Sequence, residues 1–147
     1  MEQISIKGIV VGAIIDWVTT LTFTLPLVIY VTVTRGIDRL PHGQMAGALN
    51  AALHNEFRIY ATQFLIGTAC SVLGGYVAGA LAKRAQVLNG VLSVMLTSLI
   101  GFYTLIKGTN TRPLWLILFG SFVVSPLAGA LGGYLALLQA RTSEVPA

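Results

Sequence analysis

Four long apolar runs dominate the chain, at about 8–33, 60–82, 88–106 and 114–138. Each is long enough for a hydrocarbon core about 30 Å thick, which takes roughly 20 helical residues to cross. Polar residues do not alternate with apolar ones inside these runs, so helices are expected rather than barrel strands, and a helix satisfies its own backbone groups in lipid. Within the second run Gly67, Ser71, Gly75 and Gly79 recur every fourth residue, and within the fourth run Ser121, Ser125, Gly129 and Gly133 do the same. Four-residue spacing places each set on one helix face, where two backbones can approach with almost no side chain between them. The pattern predicts an all-α bundle of four transmembrane helices in one domain, 1–147, with the second and fourth spans in contact.

The two small-residue rows lie in matching surroundings, Gly74-Gly75-Tyr76-Val77-Ala78 and Gly132-Gly133-Tyr134-Leu135-Ala136. A shift of 58 residues, from 67 to 125, superposes Gly67, Ser71 and Gly75 on Ser125, Gly129 and Gly133, and brings Gly74, Ala78 and Ala82 onto Gly132, Ala136 and Ala140. Spans one and three match through Gly8 and Gly90 near their starts. The chain therefore reads as two pseudo-repeated helical hairpins of the same topology, related by an axis along the membrane normal.

The connections differ in length. Residues 34–58 form the long one, in which Pro41-His42-Gly43 marks a break and Met45, Ala48, Leu49, Ala52, Leu53 and Phe57 then fall at helical spacing. This predicts a short amphipathic helix, either lying at the bilayer interface or extending the second span into water. The other connections, near 83–87 and 107–113, are tight, as antiparallel neighbours require. In the first span Pro26 removes one backbone hydrogen bond, so a kink near 21–24 is expected, with the threonines nearby supplying hydroxyls to the freed carbonyls.

Composition supports a lipid-embedded chain: 55% of the 147 residues are hydrophobic and 10% are charged, too few polar side chains to cover a soluble globule. The nine basic residues sit at helix ends and connections, where they anchor helices at headgroups, so the net charge of +4 does not point to nucleic acid. Both termini share a side with Lys7, Lys83, Arg84 and Arg141, against Arg35, Arg39, Arg58, Lys107 and Arg112 opposite. The compact Lys83-Arg84 pair favours cytoplasmic termini, whereas Arg35 and Arg39 argue the other way. The single cysteine, Cys70, excludes an intrachain disulfide and reads as a small packing residue.

Candidate chemistry is sparse. Asp16 is the one acid inside a span, and a charge near mid-bilayer costs several kcal/mol, so it should face protein or water. Counting about 1.5 Å per residue puts it roughly 12 Å below its end of span one. A similar depth falls near 74–76 in span two and 130–134 in span four, while span three offers Ser93, Thr97 and Ser98. The candidate intramembrane polar site is thus Asp16, Tyr76, Tyr134 and Thr97. Asp16 either carries a proton or cation there, or is a hydrogen-bonded acid that fixes helix register. Gln63 lies toward the opposite surface and is expected to make a helix–helix hydrogen bond. His42, His54, Asp38 and Glu56 match no compact ligand spacing, so no metal site and no cofactor is expected. Without a phosphate loop, paired catalytic carboxylates or a nucleophilic triad, an enzyme is not expected either.

At Gly8-Ile9-Val10-Val11-Gly12-Ala13-Ile14-Ile15-Asp16 and Gly74-Gly75-Tyr76-Val77-Ala78-Gly79 the chain resembles small uncharacterised bacterial four-helix integral membrane proteins with a GGYxA motif. The resemblance implies a fold and an inner-membrane location, and transfers no catalytic residue. Two readings of function follow from the residues. The first is a helix-packing homo-oligomer, or an accessory subunit of another membrane protein, built on these glycine-zipper faces. The alternative is a minimal proton- or cation-coupled transporter or channel, assembled as an oligomer around Asp16 and the two tyrosines.

Overall fold

A computed structural model of the chain describes residues 4–82, 84–107 and 118–143. The elements in order are α1 (Ile6–Thr34), a 3-10 turn (Ile37–Arg39), α2 (His42–Asn55), α3 (Phe57–Leu81), α4 (Gln86–Lys107), and a π-helical turn (Gly120–Val124) that leads into α5 (Ser125–Ser143). No strand occurs among the described residues. Ile6–Thr34, Phe57–Leu81, Gln86–Tyr103 and Gly120–Thr142 are each long and apolar enough to cross a membrane. The protein is all-helical and multi-pass. The expected start of the fourth span at 114, residues 108–113 of the connection expected before it, Lys83 and the residues beyond 143 lie outside the described residues, and Lys107 ends α4.

Packing divides the chain into two units, Met1–Val18 with Thr68–Ala147, and Thr19–Gly67. Helices α1 and α3 contribute to both.

In the first unit the glycine rows bring backbones together. A Cβ added to Gly12 would lie 2.6 Å from the Gly74 carbonyl oxygen and 2.7 Å from the Ala78 Cβ, and one added to Gly74 would lie 2.6 Å from the Asp16 Cβ. These separations leave no room for any side chain. Gly75 is equally tight against the Gly129 backbone, and Gly79 sits against Gly133 and Ala136, so α3 and α5 meet along their small faces. Helix α4 enters the same contact, with Gly90 against Gly129 and its Gln86-Val87 backbone against Gly133.

The two near-copies are used differently. Gly74 faces α1, whereas Gly132, its counterpart, faces Val72 and Tyr76 of α3. The first residue of each row stands in a different setting. Gly67 has nothing within 4 Å of its missing Cβ. Ser121 falls within the π turn, which changes the angular phase of the residues before Ser125 relative to a regular α-helix.

That turn has a local cause. Pro126 has no N–H to offer the carbonyl four residues back, and the helix instead takes the wider register, with the Ser125 N–H bonded to the Gly120 carbonyl. The Ser125 hydroxyl donates to the same oxygen at 3.1 Å.

Asn89, fully buried, ties the ends of three helices together. Its Oδ1 accepts the Ser5 N–H at 2.7 Å, ahead of α1, while its Nδ2 donates to the carbonyls of Ala85 at 3.0 Å and Arg84 at 3.3 Å in the turn between α3 and α4. Ser5 in turn caps α1, its hydroxyl accepting the Gly8 N–H at 3.1 Å. Ala85 occupies the left-handed region with φ 51, a conformation that is unfavourable for a residue with a Cβ.

The second unit holds the rest of α1, the 3-10 turn, α2 and the start of α3, with Val31 and Ile37 buried. Gly36, left-handed at φ 63, ends the first helix. Helix α2 buries the face expected from its spacing: Met45, Ala48, Leu49, Ala52 and Leu53 are half-buried. Phe57, placed on that face by sequence, is 81% exposed and belongs to α3. The extended backbone of Glu56, φ −97 and ψ 114, separates α2 from α3, so the segment is a helix of its own rather than an extension of the span.

Gly75→Ala should lower stability by about 1–3 kcal/mol through overpacking, while Gly101→Ala, where a Cβ meets nothing within 4 Å, should be neutral or stabilising by up to about 1 kcal/mol. Thermal unfolding in detergent distinguishes the two. Ala85→Gly should raise stability by about 0.5–1 kcal/mol, the left-handed cost of the Cβ less the extra unfolded-state freedom of glycine, measured in the same assay.

Candidate functional site

The site is built where α1, α3 and α4 converge in the first unit. Asp16 follows Gly8 and Gly12 on the face of α1 that packs on α3, because residues four apart share a face. Gly74 lacks a Cβ at this level, so the Asp16 backbone can approach α3 closely enough for a short side chain to reach neighbouring helices. Asp16 is 5% exposed. Its Oδ2 accepts the Thr97 hydroxyl of α4 at 2.6 Å, and its Oδ1 accepts the Ser71 hydroxyl of α3 at 3.3 Å. By length the Thr97 bond is the stronger of the two, since good O–H···O bonds fall near 2.7 Å.

Thr97 has one hydroxyl proton and two acceptors in reach, Asp16 Oδ2 and the Val94 carbonyl at 2.9 Å. If Asp16 is a carboxylate, Thr97 donates to it. If Asp16 is protonated, its O–H can donate to the Thr97 oxygen while Thr97 donates to Val94. Both protonation states are therefore hydrogen-bonded with the heavy atoms in place. Thr97 also lines an apolar cleft of about 380 Å³ between α1 and α4, bounded by Val10, Ile14, Trp17, Leu96 and Ile100.

Of the four residues expected at this level, the structure brings Asp16 and Thr97 together. The tyrosines lie elsewhere. The Tyr76 hydroxyl donates to Gln139 Oε1 on α5, and Tyr134 is 49% exposed. Depth counted along the helices places Gly74 beside Asp16 as expected, but Tyr76 is two residues further on, about 200° around the helix. Ser71, assigned by sequence to helix packing, supplies the second hydroxyl. Its spacing offered the signal, since it lies three residues before Gly74 and so shares the face turned to α1.

Ser93 is buried, but its hydroxyl returns to the Gly90 carbonyl of its own helix at 2.9 Å. In the second unit Gln63 Oε1 is buried with no hydrogen-bond partner among the described residues. Asn89 was not singled out by sequence. A lone asparagine beside a short connection carries no distinguishing pattern until the turn it clamps is known.

Comparison with protein families, curated proteins and solved structures found no match, so the functional reading rests on the residues of this chain.

Thr97→Val keeps the side-chain shape and removes the stronger donor to Asp16, and should lower stability by about 0.5–2 kcal/mol. Thr97→Ser should retain most of it. Unfolding of the two variants in the same detergent tests the role of the hydroxyl.

Proposed function

We propose that this chain is a small helix-packing protein of the inner (plasma) membrane, with cytoplasmic termini, which acts as a homo-oligomer or as an accessory subunit of a larger membrane assembly and not as an enzyme. The observation that carries the reading is the engagement of Asp16. The one acid inside a span is bonded to hydroxyls of two other helices, at the level where glycine backbones touch. Its role is to fix the register of α1 against α3 and α4. Association has room at the α1–α4 cleft, where the missing Cβ of Gly101 faces open space beside Leu96 and Ile100.

A second reading has one specific observation in its favour. Thr97 stands between Asp16 and that cleft, and its hydroxyl serves the acid in either protonation state. A proton could be held or passed at this point, as in a minimal proton- or cation-coupled transporter.

Asp16→Asn separates the readings. The packing role expects the variant to keep its mass in native mass spectrometry and its partners in native membrane. Loss of proton or cation flux in proteoliposomes, with assembly intact, would establish the transport reading instead.

A further inference from the structure

In the second unit, the end of α1 and the start of α3 enclose a cleft of about 390 Å³ whose chemistry differs from the rest of the molecule. Arg35 and Arg58 both line it, with Glu56 the single carboxylate among the lining residues. Glu56 pairs with one arm of the Arg35 guanidinium, Nη2, which fixes that side chain and leaves its other N–H groups to point elsewhere. The pair is about half exposed on both sides and adds little to stability. Two cations against one anion leave the cleft positive, while the negative end of the α1 dipole and the positive end of the α3 dipole meet there and offset each other.

The threonine hydroxyls in the cleft are committed to their own helices: Thr34 donates to the Tyr30 carbonyl at 2.6 Å, and Thr62 to the Arg58 carbonyl at 2.9 Å. The guanidinium groups are therefore the main donors for a ligand. Arginine forks match phosphate oxygens in pairs. The remaining wall is the apolar Leu27 and Ile59 together with Tyr30, whose phenol can add one neutral donor. Both helices are of spanning length, and the cleft lies at their ends, where a bilayer presents its headgroups.

We infer that Arg35 and Arg58 form a binding site for a phosphate group, with the headgroup of an anionic phospholipid as its source and Leu27 and Ile59 receiving the first part of the acyl region. Basic clefts between spanning helices are suited to such headgroups. The inference is independent of whether Asp16 fixes register or carries protons.

The test uses the full-length protein in micelles doped with phosphatidylglycerol or with phosphatidylcholine of the same acyl chains, and counts retained lipid by native mass spectrometry. Phosphatidylglycerol should be retained about fivefold better, the worth of one cationic contact at an anionic surface. Arg58→Gln should remove that preference, and Arg141→Gln, at the far end of the chain, should leave it unchanged. Glu56→Gln releases Arg35 and should increase retention, an outcome that loss of folding cannot mimic. Equal retention of the two lipids, an equal loss in Arg141→Gln, or weaker retention in Glu56→Gln would overturn the site. Displacement of phosphatidylglycerol by millimolar inorganic phosphate alone would overturn the lipid as its source.

Discussion

Backbone-to-backbone contact between glycines is the constraint on which the first unit depends. At Gly12 and Gly74 the two helices touch so closely that even a methyl group has no place, and the same holds where Gly75, Gly90 and Gly129 meet. Such contacts form between helices whose outer faces are as apolar as the lipid around them, so burying apolar surface contributes little, and close van der Waals packing and interhelical hydrogen bonds must hold the helices instead. The core residues reflect this. Among the described residues buried there, Ala13, Cys70, Ala78, Ala82, Ala128 and Ala136 are small and the larger apolar one is Val94.

The polar node follows from the same closeness. Aspartate is a short side chain, and it can reach hydroxyls on two other helices only because Gly74 lets its backbone approach. Ser71 and Thr97 are short as well. Register and chemistry are thus one constraint: a change that separates α1 from α3 also lengthens the bonds to Asp16.

Sequence made the length and kind of the elements legible, because apolar runs of spanning length that carry small residues four apart fit closely packed membrane helices and little else. Depth was legible too. Counting rise per residue brought Gly74 and Thr97 to the level of Asp16. Rotation about each helix axis was not, and this is why Tyr76 and Tyr134, at a suitable depth, face away from the acid. A duplicated motif does not fix rotation either, since Gly74 and Gly132 occupy equivalent positions and meet different helices. The π turn was hidden for a related reason. Pro126 announces a missing hydrogen bond, but whether a helix kinks, breaks or widens there depends on neighbours that the linear pattern does not name. The Arg35–Glu56 pair, 21 residues apart across α2, required the fold of that connection to be known.

The two units hold polar groups in opposite ways, and the contrast has a physical basis. Inside a span an ionisable group without a nearby charge must be served by neutral donors, because burying a second, basic group in hydrocarbon would add its own desolvation to that of the acid. Hydroxyls avoid this, since a serine or threonine not bonded to the acid can return its proton to its own helix, as Thr97 can to Val94. At helix ends water and headgroups remove the penalty, and a long arginine with full charge can serve as the donor, as Arg35 does to Glu56. Hydroxyls on Asp16 and the Arg35 guanidinium on Glu56 are therefore two answers to one problem, that of satisfying a polar group at a given depth in a membrane.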